Sequence, residues 1–232
     1  YMDTALCQMS PAYFSSLMQY NAALSQRNAL LKKGIEEETV YDAYEQTMAH
    51  VGAKVLWHRQ QFCAEIEPMA ARLYSDIANG EPMRVMYRSQ VPQGTEQEIE
   101  NALAEALKNA RPADKRRYIT GVGPHRDDLQ IVIRDKEARS YASQGQQRTA
   151  VLALKLAEVA RMQARSGHRP VLMLDDVLSE LDSNRQTYLL ESIHDIQTLI
   201  TCTGLDDFVS HQFEINKVFQ VVKGHVYMPK GF

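Results

Sequence analysis

No apolar run in this sequence approaches the roughly 18 residues that a membrane-crossing helix needs, so no such helix is expected. The opening residues Tyr1-Met2-Asp3 bring neither the basic nor the apolar stretch of a secretory signal. Cysteine is scarce. Cys7, Cys63 and Cys202 stand far apart with no Cys-x-x-Cys pair, which excludes a disulfide framework and suits small buried thiols in a reducing cytoplasm. There is no surplus of positive charge either. With a net charge of −3, any nucleic-acid binding must come from a local basic surface and not from the whole-molecule field. No repeat or low-complexity tract is present, and Gly-x-x-x-x-Gly-Lys-[Ser/Thr] occurs nowhere. The glycines at Gly34, Gly121 and Gly123 are not followed by Lys-Ser or Lys-Thr at the needed spacing. The backbone cradle that holds β- and γ-phosphates in P-loop ATPases is therefore missing from these residues.

What is present reads in two textures. The composition, 44% hydrophobic and 24% charged, suits one or two folded units. Residues 1–115 read as a mainly α-helical lobe. Its first helix opens on Ser10 as N-cap with Pro11 behind it, carries an apolar stripe through Phe14, Leu17, Leu24 and Leu31, and stops at Gly34. A longer stripe runs from Tyr44 through Met48, Val51, Val55, Phe62, Ile66, Met69 and Leu73 to Ile77, with a kink expected at Pro68. A third helix starts at Thr95, where Glu98 completes a capping box, and is expected to end near Ala110 before Pro112. From 116 to 232 strands alternate with helices. Strands are expected around Leu129–Ile133, Val171–Leu174 and Thr198–Thr201, with helices over Gln147–Arg165 and Asn184–His194 and a terminal hairpin around Lys223-Gly224. That order argues for an α/β fold with part of a parallel sheet.

Two segments carry chemistry. The run Val171-Leu172-Met173-Leu174-Asp175-Asp176 sets two carboxylates at the carboxyl end of a buried strand, where α/β proteins bind ligands. One carboxylate there can hold Mg²⁺ beside a nucleotide while its neighbour polarises water, as in a Walker B element. Ser179-Glu180-Leu181-Asp182 follows at once; Asp182 also suits a plain N-cap for the next helix. The second segment is Ala142-Ser143-Gln144-Gly145-Gln146-Gln147-Arg148, opening a long helix. A serine hydroxyl and a glycine amide at a helix N-terminus can form an anion site, or simply cap the helix.

Taken in order, Gly123-Pro124-His125-Arg126-Asp127-Asp128, then Ser143 to Arg148, then Asp175-Asp176 with Ser179 to Asp182, resemble the motifs of the RecF family, as does Gln26-Arg27-Asn28-Ala29-Leu30-Leu31-Lys32. The resemblance covers nearly the whole chain. It implies the C-terminal part of an SMC-like, ABC-type ATPase sheet preceded by a helical lobe, lacking the Walker A segment that lies nearer the N-terminus in the family. It also implies a cytoplasmic DNA replication, recombination and repair protein, linked to the SOS response, that binds DNA and dimerises on ATP. Its partners would be gapped DNA, RecR and RecO, and indirectly RecA; its cofactors ATP and Mg²⁺. Asp175 would hold the metal and Asp176, shorter than the usual glutamate, would orient the attacking water in a slow ATPase. Ser143, Gly145 and Gln146 would contact ATP held by the opposite subunit, and Ser179 and Asp182 would lie at the dimer interface. Ala142 and Gln144 depart from the ABC signature, and Thr201-Cys202-Thr203-Gly204 stands where most ABC proteins have a switch histidine.

The residues alone leave other readings open. Arg59 and the cluster Lys115, Arg116, Arg117 could meet DNA phosphates or be ordinary solvated charges. Asp127, Asp128, Asp175 and Asp176 could belong to a metal-dependent nuclease or phosphoesterase, although no His-x-Asp or Glu-x-x-His ligand motif accompanies them. A non-catalytic, partner-binding helical module is the third possibility.

Overall fold

A computed structural model of the chain describes residues 1–204 and 215–228. The chain divides into two compact units, residues 1–162 and 163–232, each of which is described by itself.

The first unit opens with helix α1 (Met2–Met9), which the sequence reading missed, and α2 (Pro11–Lys33). α2 begins and ends as expected. Ser10 Oγ accepts from the Tyr13 amide, and Gly34 closes the helix at φ 66°, a left-handed conformation that glycine adopts without Cβ strain. Its buried face follows the expected stripe in part, with Leu31 buried and Leu17 and Leu24 half-buried against the apolar clusters. Phe14 is exposed, and the inward positions are Tyr13, Ser16, Tyr20, Ala23, Arg27 and Leu31. The lobe buries phenols and a guanidinium there because each finds a polar partner, so apolar periodicity alone could not show them.

Helix α3 (Glu38–Ile77) continues through Pro68 and buries Met48, Val51, Val55, Phe62 and Ile66. β1 (Met83–Arg88) follows, and then α4 (Glu96–Arg117), which starts on the expected Thr95–Glu98 capping box. Contrary to expectation α4 runs past Pro112 for a further turn. Proline removes one N–H, and the buried ion pairs of Arg111 and Asp114 on either side of it hold the turn closed. β2 (Asp128–Ile133) pairs antiparallel with β1, Met83 facing Ile133 and Arg88 facing Asp128. This pairing crosses the expected boundary at residue 115, so the helices and the first sheet form one unit. β3 (Lys136–Glu137) adds a short edge after a tight turn at Arg134-Asp135, both at positive φ. α5 (Ala138–Tyr141) and α6 (Gln144–Ser166) complete the sequence of elements.

Two apolar clusters support this unit. One gathers Leu6, Phe62, Ile66, Tyr74, Val85, Ile133 and Leu154 from α1, α3, the sheet and α6. The other joins Tyr20, Met48, Leu56, Ile99, Leu103 and Leu107 from α2, α3 and α4. Gly52 lets these three helices approach, because a Cβ there would lie 2.7 Å from Leu103 Cδ2 and 3.1 Å from the Tyr20 ring.

In the second unit β4 (Leu172–Asp175) and β5 (Thr198–Thr201) pair in parallel, joined through α7 (Ser183–Ser192). This is the expected strand, helix, strand order of an α/β fold. Contrary to the buried strand expected at Val171–Leu174, the strands alternate, with Leu172, Leu174 and Ile200 half-buried and Met173 and Leu199 exposed. They do so because, among the described residues, this two-stranded sheet is covered on one face only. β6 (Gln220–Val222) and β7 (His225–Tyr227) form the expected hairpin across Lys223-Gly224.

Candidate nucleotide site

The Ser143 segment is built by its own sequence. Ser143 Oγ accepts from the Gln146 amide at 3.2 Å while Gln146 Oε1 accepts from the Ser143 amide at 2.9 Å, a reciprocal capping box at the start of α6. The other end of the Gln146 side chain donates from Nε2 to Glu81 Oε1 at 2.9 Å. Glu81 is a buried carboxylate that also takes Arg134 at 2.6 Å and the Tyr74 hydroxyl at 2.6 Å. Ser143 is exposed and Gly145 half-buried, so the serine stands at the mouth of a 23-residue helix with its positive end behind it. Capping and anion binding are compatible here, because Ser143 Oγ caps as an acceptor and its hydroxyl proton is left to donate to an anion. The tie between Gln146 and Glu81 could not be read from sequence, since nothing marked Glu81 as a partner.

The acidic segment is locked by its neighbour strand. Asp175 ends β4, and its Oδ1 accepts from the Thr201 hydroxyl at 2.5 Å. Asp176 follows at φ 51°, a left-handed conformation that aspartate tolerates better than most residues. Its amide donates to both the carbonyl and the hydroxyl of Thr201, at 3.2 and 3.0 Å. The hydroxyl of Ser179 donates to the Asp176 carbonyl at 2.8 Å, and Leu178, fully buried, pins the turn between them. Asp182 caps α7 by accepting from the Arg185 amide at 3.1 Å, and it pairs with the Arg185 guanidinium as well. Asp175, Asp176, Ser179 and Asp182 are all exposed or have exposed carboxylates, so the segment presents oxygens outward at the carboxyl end of a parallel strand.

That donor set suits one kind of metal. Among the described residues no three His, Cys, Asp or Glu side chains gather to hold an ion by themselves. Mg²⁺ is held elsewhere by one or two carboxylates completed by phosphate oxygens and water, and Asp175 offers a hard oxygen of that kind. The nuclease reading fares worse. Asp127 accepts from the Tyr87 hydroxyl at 2.5 Å with its Oδ1 buried and without a hydrogen bond, and burial raises its pKa. Asp128 takes its neighbour's Leu129 amide at 2.8 Å. Neither belongs to a carboxylate cluster.

The Gly123–Asp128 run, which had no assigned role, is tied into the helical lobe through Pro124, His125 and Asp127. Thr120 is held by Arg27 Nη1 at 2.8 Å and by Asn28 Oδ1, which accepts from its hydroxyl at 2.7 Å and its amide at 2.8 Å. The Thr120 carbonyl accepts from His125 Nε2 at 3.0 Å, which fixes Nδ1 as the acceptor of the Tyr20 hydroxyl at 2.8 Å. Burial lowers the His125 pKa. The Arg27-Asn28 pair and the Gly123–Asp128 run are thus two halves of one polar framework.

Of the basic residues expected to meet phosphate, the structure offers only some. Arg59 is buried, with its guanidinium on both oxygens of Asp3, on the Tyr13 hydroxyl and on the Pro124 carbonyl at 2.7 Å. It braces the loop and is not available to a ligand. Lys115 pairs with Glu36 and, at 2.7 Å, with Glu38. Arg116 and Arg117 remain exposed, beside exposed Tyr118 and Ile119. A cleft of about 520 Å³ lined by Gln19, Thr47, His50, Glu100 and Asn101 shares no residue with either motif. Among the described residues no helix is long and apolar enough to cross a membrane.

Comparison with known proteins sharpens this picture. No model of a protein family matches the chain. Among curated proteins it is 41% identical to the DNA replication and repair protein RecF of Lachnospira eligens and 39% identical to that of Symbiobacterium thermophilum, each over 97% of this chain and 62% of the relative. Among solved structures it is similar to the recombination mediator protein RecF-ATPrS of the RecFOR pathway, with a TM-score of 0.88 at 33% identity over 98% of this chain and 62% of that one. A RecF-ATP structure matches with a TM-score of 0.86 at 34% identity, over 99% of this chain and 61% of that one. The chain thus spans somewhat over three fifths of the length of these relatives, and at this identity, sustained along almost all of its length, it belongs to the RecF family.

Proposed function

We propose that this chain supplies the metal-binding and trans-acting parts of an ATP-gated DNA replication and repair protein, with the phosphate cradle contributed by polypeptide outside these 232 residues. The observation that carries the reading is the acidic pair at the carboxyl end of β4, locked to the end of β5. In this reading Asp175 holds the Mg²⁺ of bound ATP. The metal supplies charge neutralisation between the β- and γ-phosphates. Asp176 accepts a hydrogen bond from water; one methylene shorter than glutamate, it suits a slow, switch-like hydrolysis. Ser143 and Gly145 receive the γ-phosphate of the opposite subunit at the mouth of α6, where the helix dipole favours an anion. Gln146, fixed by Glu81, orients Ser143 from below. Ser179 and Asp182 line the interface between subunits. ATP then dimerises the protein on gapped DNA, where RecR and RecO join it, in keeping with the RecFOR pathway named for its structural relatives, and RecA loads in consequence. Arg116 and Arg117 are the basic residues of the helical lobe offered to DNA phosphate.

The test uses the full-length protein. Asp175→Asn is expected to abolish the Mg²⁺-dependent part of ATP affinity and to lower hydrolysis by on the order of 100-fold. Hydrolysis that is unchanged in this variant overturns the assignment. The 232-residue chain alone is expected neither to hydrolyse ATP nor to bind it tightly as a monomer, and tight monomeric binding contradicts the reading.

A further inference from the structure

One hydroxyl, that of Thr201, bonds to both residues of the acidic pair. Thr201 is the last residue of β5 and lies directly opposite Asp175 in the parallel register. Its hydroxyl has one proton. Because the oxygen accepts from the Asp176 amide at 3.0 Å, that proton is free to be directed at Asp175 Oδ1, 2.5 Å away. A single hydroxyl therefore bonds two adjacent residues in opposite senses. Oδ1 of Asp175 is committed to Thr201, while Oδ2 makes no hydrogen bond with any described residue. On Asp176 the same group closes one side of a strained backbone. The φ of 51° is a left-handed conformation that a non-glycine residue keeps only where the surroundings impose it. Those surroundings are the Thr201 hydroxyl and carbonyl on the amide and the Ser179 hydroxyl on the carbonyl.

We propose that Thr201 is a positioning residue for the acidic pair. It orients the Asp175 carboxylate so that one oxygen is presented to a metal, and it holds the Asp176 backbone so that the second carboxylate leaves the strand in a fixed direction. The inference rests on the nucleotide reading above for its metal half; the backbone half stands on geometry alone. Strand pairing does not account for the arrangement, because valine would pair equally well in β5 and would supply neither bond.

The experiment compares Thr201→Val with Thr201→Ser in the full-length protein. Without nucleotide or metal, hydrogen exchange at the Asp176 amide should be about tenfold faster in the valine variant, which loses a hydrogen bond coupled to a charged group, and within about twofold of the parent in the serine variant. The Mg²⁺ concentration at half-maximal hydrolysis should rise about tenfold in the valine variant alone, while ATP affinity in excess EDTA stays unchanged. Parental exchange and Mg²⁺ dependence in Thr201→Val overturn the proposal. Equal defects in serine and valine also overturn it, since serine keeps the hydroxyl and should keep its function. Asp175→Asn distinguishes the two levels. If it leaves the Mg²⁺ midpoint unmoved, the nucleotide reading fails and takes the metal half of this inference with it, whereas fast exchange in Thr201→Val with a normal Asp175→Asn response would support the backbone half and the reading together.

Discussion

Arg27 sits with no exposed surface between three elements, and its replacement is the sharpest stability test the fold offers. Its guanidinium donates to Glu45 Oε1 from Nε and Nη2 at 3.2 and 2.8 Å, and from Nη1 to Asp114 Oδ2 at 2.9 Å and Thr120 Oγ1 at 2.8 Å. Arg27→Met keeps most of the volume and removes the charge. Glu45 retains Arg111 at 2.5 Å, but Asp114 is left with only the Gly121 amide at 3.0 Å. Removing one partner of a buried ion pair costs about 3–5 kcal/mol, because the other charge is stranded away from water. Trp57, the single tryptophan, packs on the second apolar cluster and reports unfolding of this unit without interference from the other. With a urea m-value of about 3 kcal/mol/M, the midpoint followed by Trp57 fluorescence should fall by about 1–1.7 M. Arg27→Lys keeps the charge but loses the fork that reaches both acids, and should fall between the two. A shift under about 0.3 M for Arg27→Met corresponds to less than about 1 kcal/mol and would refute the claim that this cluster organises the lobe.

Other outcomes follow from the same framework. Burial depresses the pKa of His125, so the unfolded chain takes up a proton more readily than the folded one. The stability due to its neutral form is therefore complete above about pH 6.5, falls as the pH drops from there through the lower folded value, and levels off below it. In His125→Asn that acid-side loss should be absent from urea midpoints measured across the range, and an undiminished loss would exclude His125 as its source. Arg116→Ala and Arg117→Ala should each weaken DNA binding by the full-length protein and reduce the slope of log affinity against log salt by about 1, without changing sequence preference. An unchanged salt slope in the double variant would remove this surface from the DNA contact. Arg59→Ala should instead destabilise the lobe, since its guanidinium is buried on Asp3 and Pro124.

How much of this was legible in the residues depended on whether the deciding interaction was local. Ser10, Gly34, Thr95 and Glu98 act on their own helix ends, and each did what its type and spacing implied. The same is true of the strand ending at Asp175 and of the parallel partner at Thr198–Thr201. Failures came where distant partners decide. The buried face of α2 was read only in part because Arg27 and Tyr20 are inside by virtue of Glu45, Asp114 and His125, up to 105 positions away. α4 outlasted Pro112 because Arg111 and Asp114 are tied to other helices. Strand β1 was overlooked although Met83 and Val85 alternate with Arg84, because six residues after a long helix give a weak period-two signal. The acidic pair could be read from sequence; the hydroxyl that orients it could not, since Thr201 stands 26 residues away.

The central claim is that the mouth of α6 acts in trans on a nucleotide, and Ser143 tests it most directly. Ser143→Asp preserves a good N-cap acceptor for the Gln146 amide, so α6 should keep its stability within about 0.5 kcal/mol. It also places a negative charge where the γ-phosphate would arrive. Sedimentation of the full-length protein with ATP and Mg²⁺ should then give dimers for the parent and monomers for Ser143→Asp and for Ser143→Arg. ATP-dependent dimers of parental stability in either variant would contradict the account.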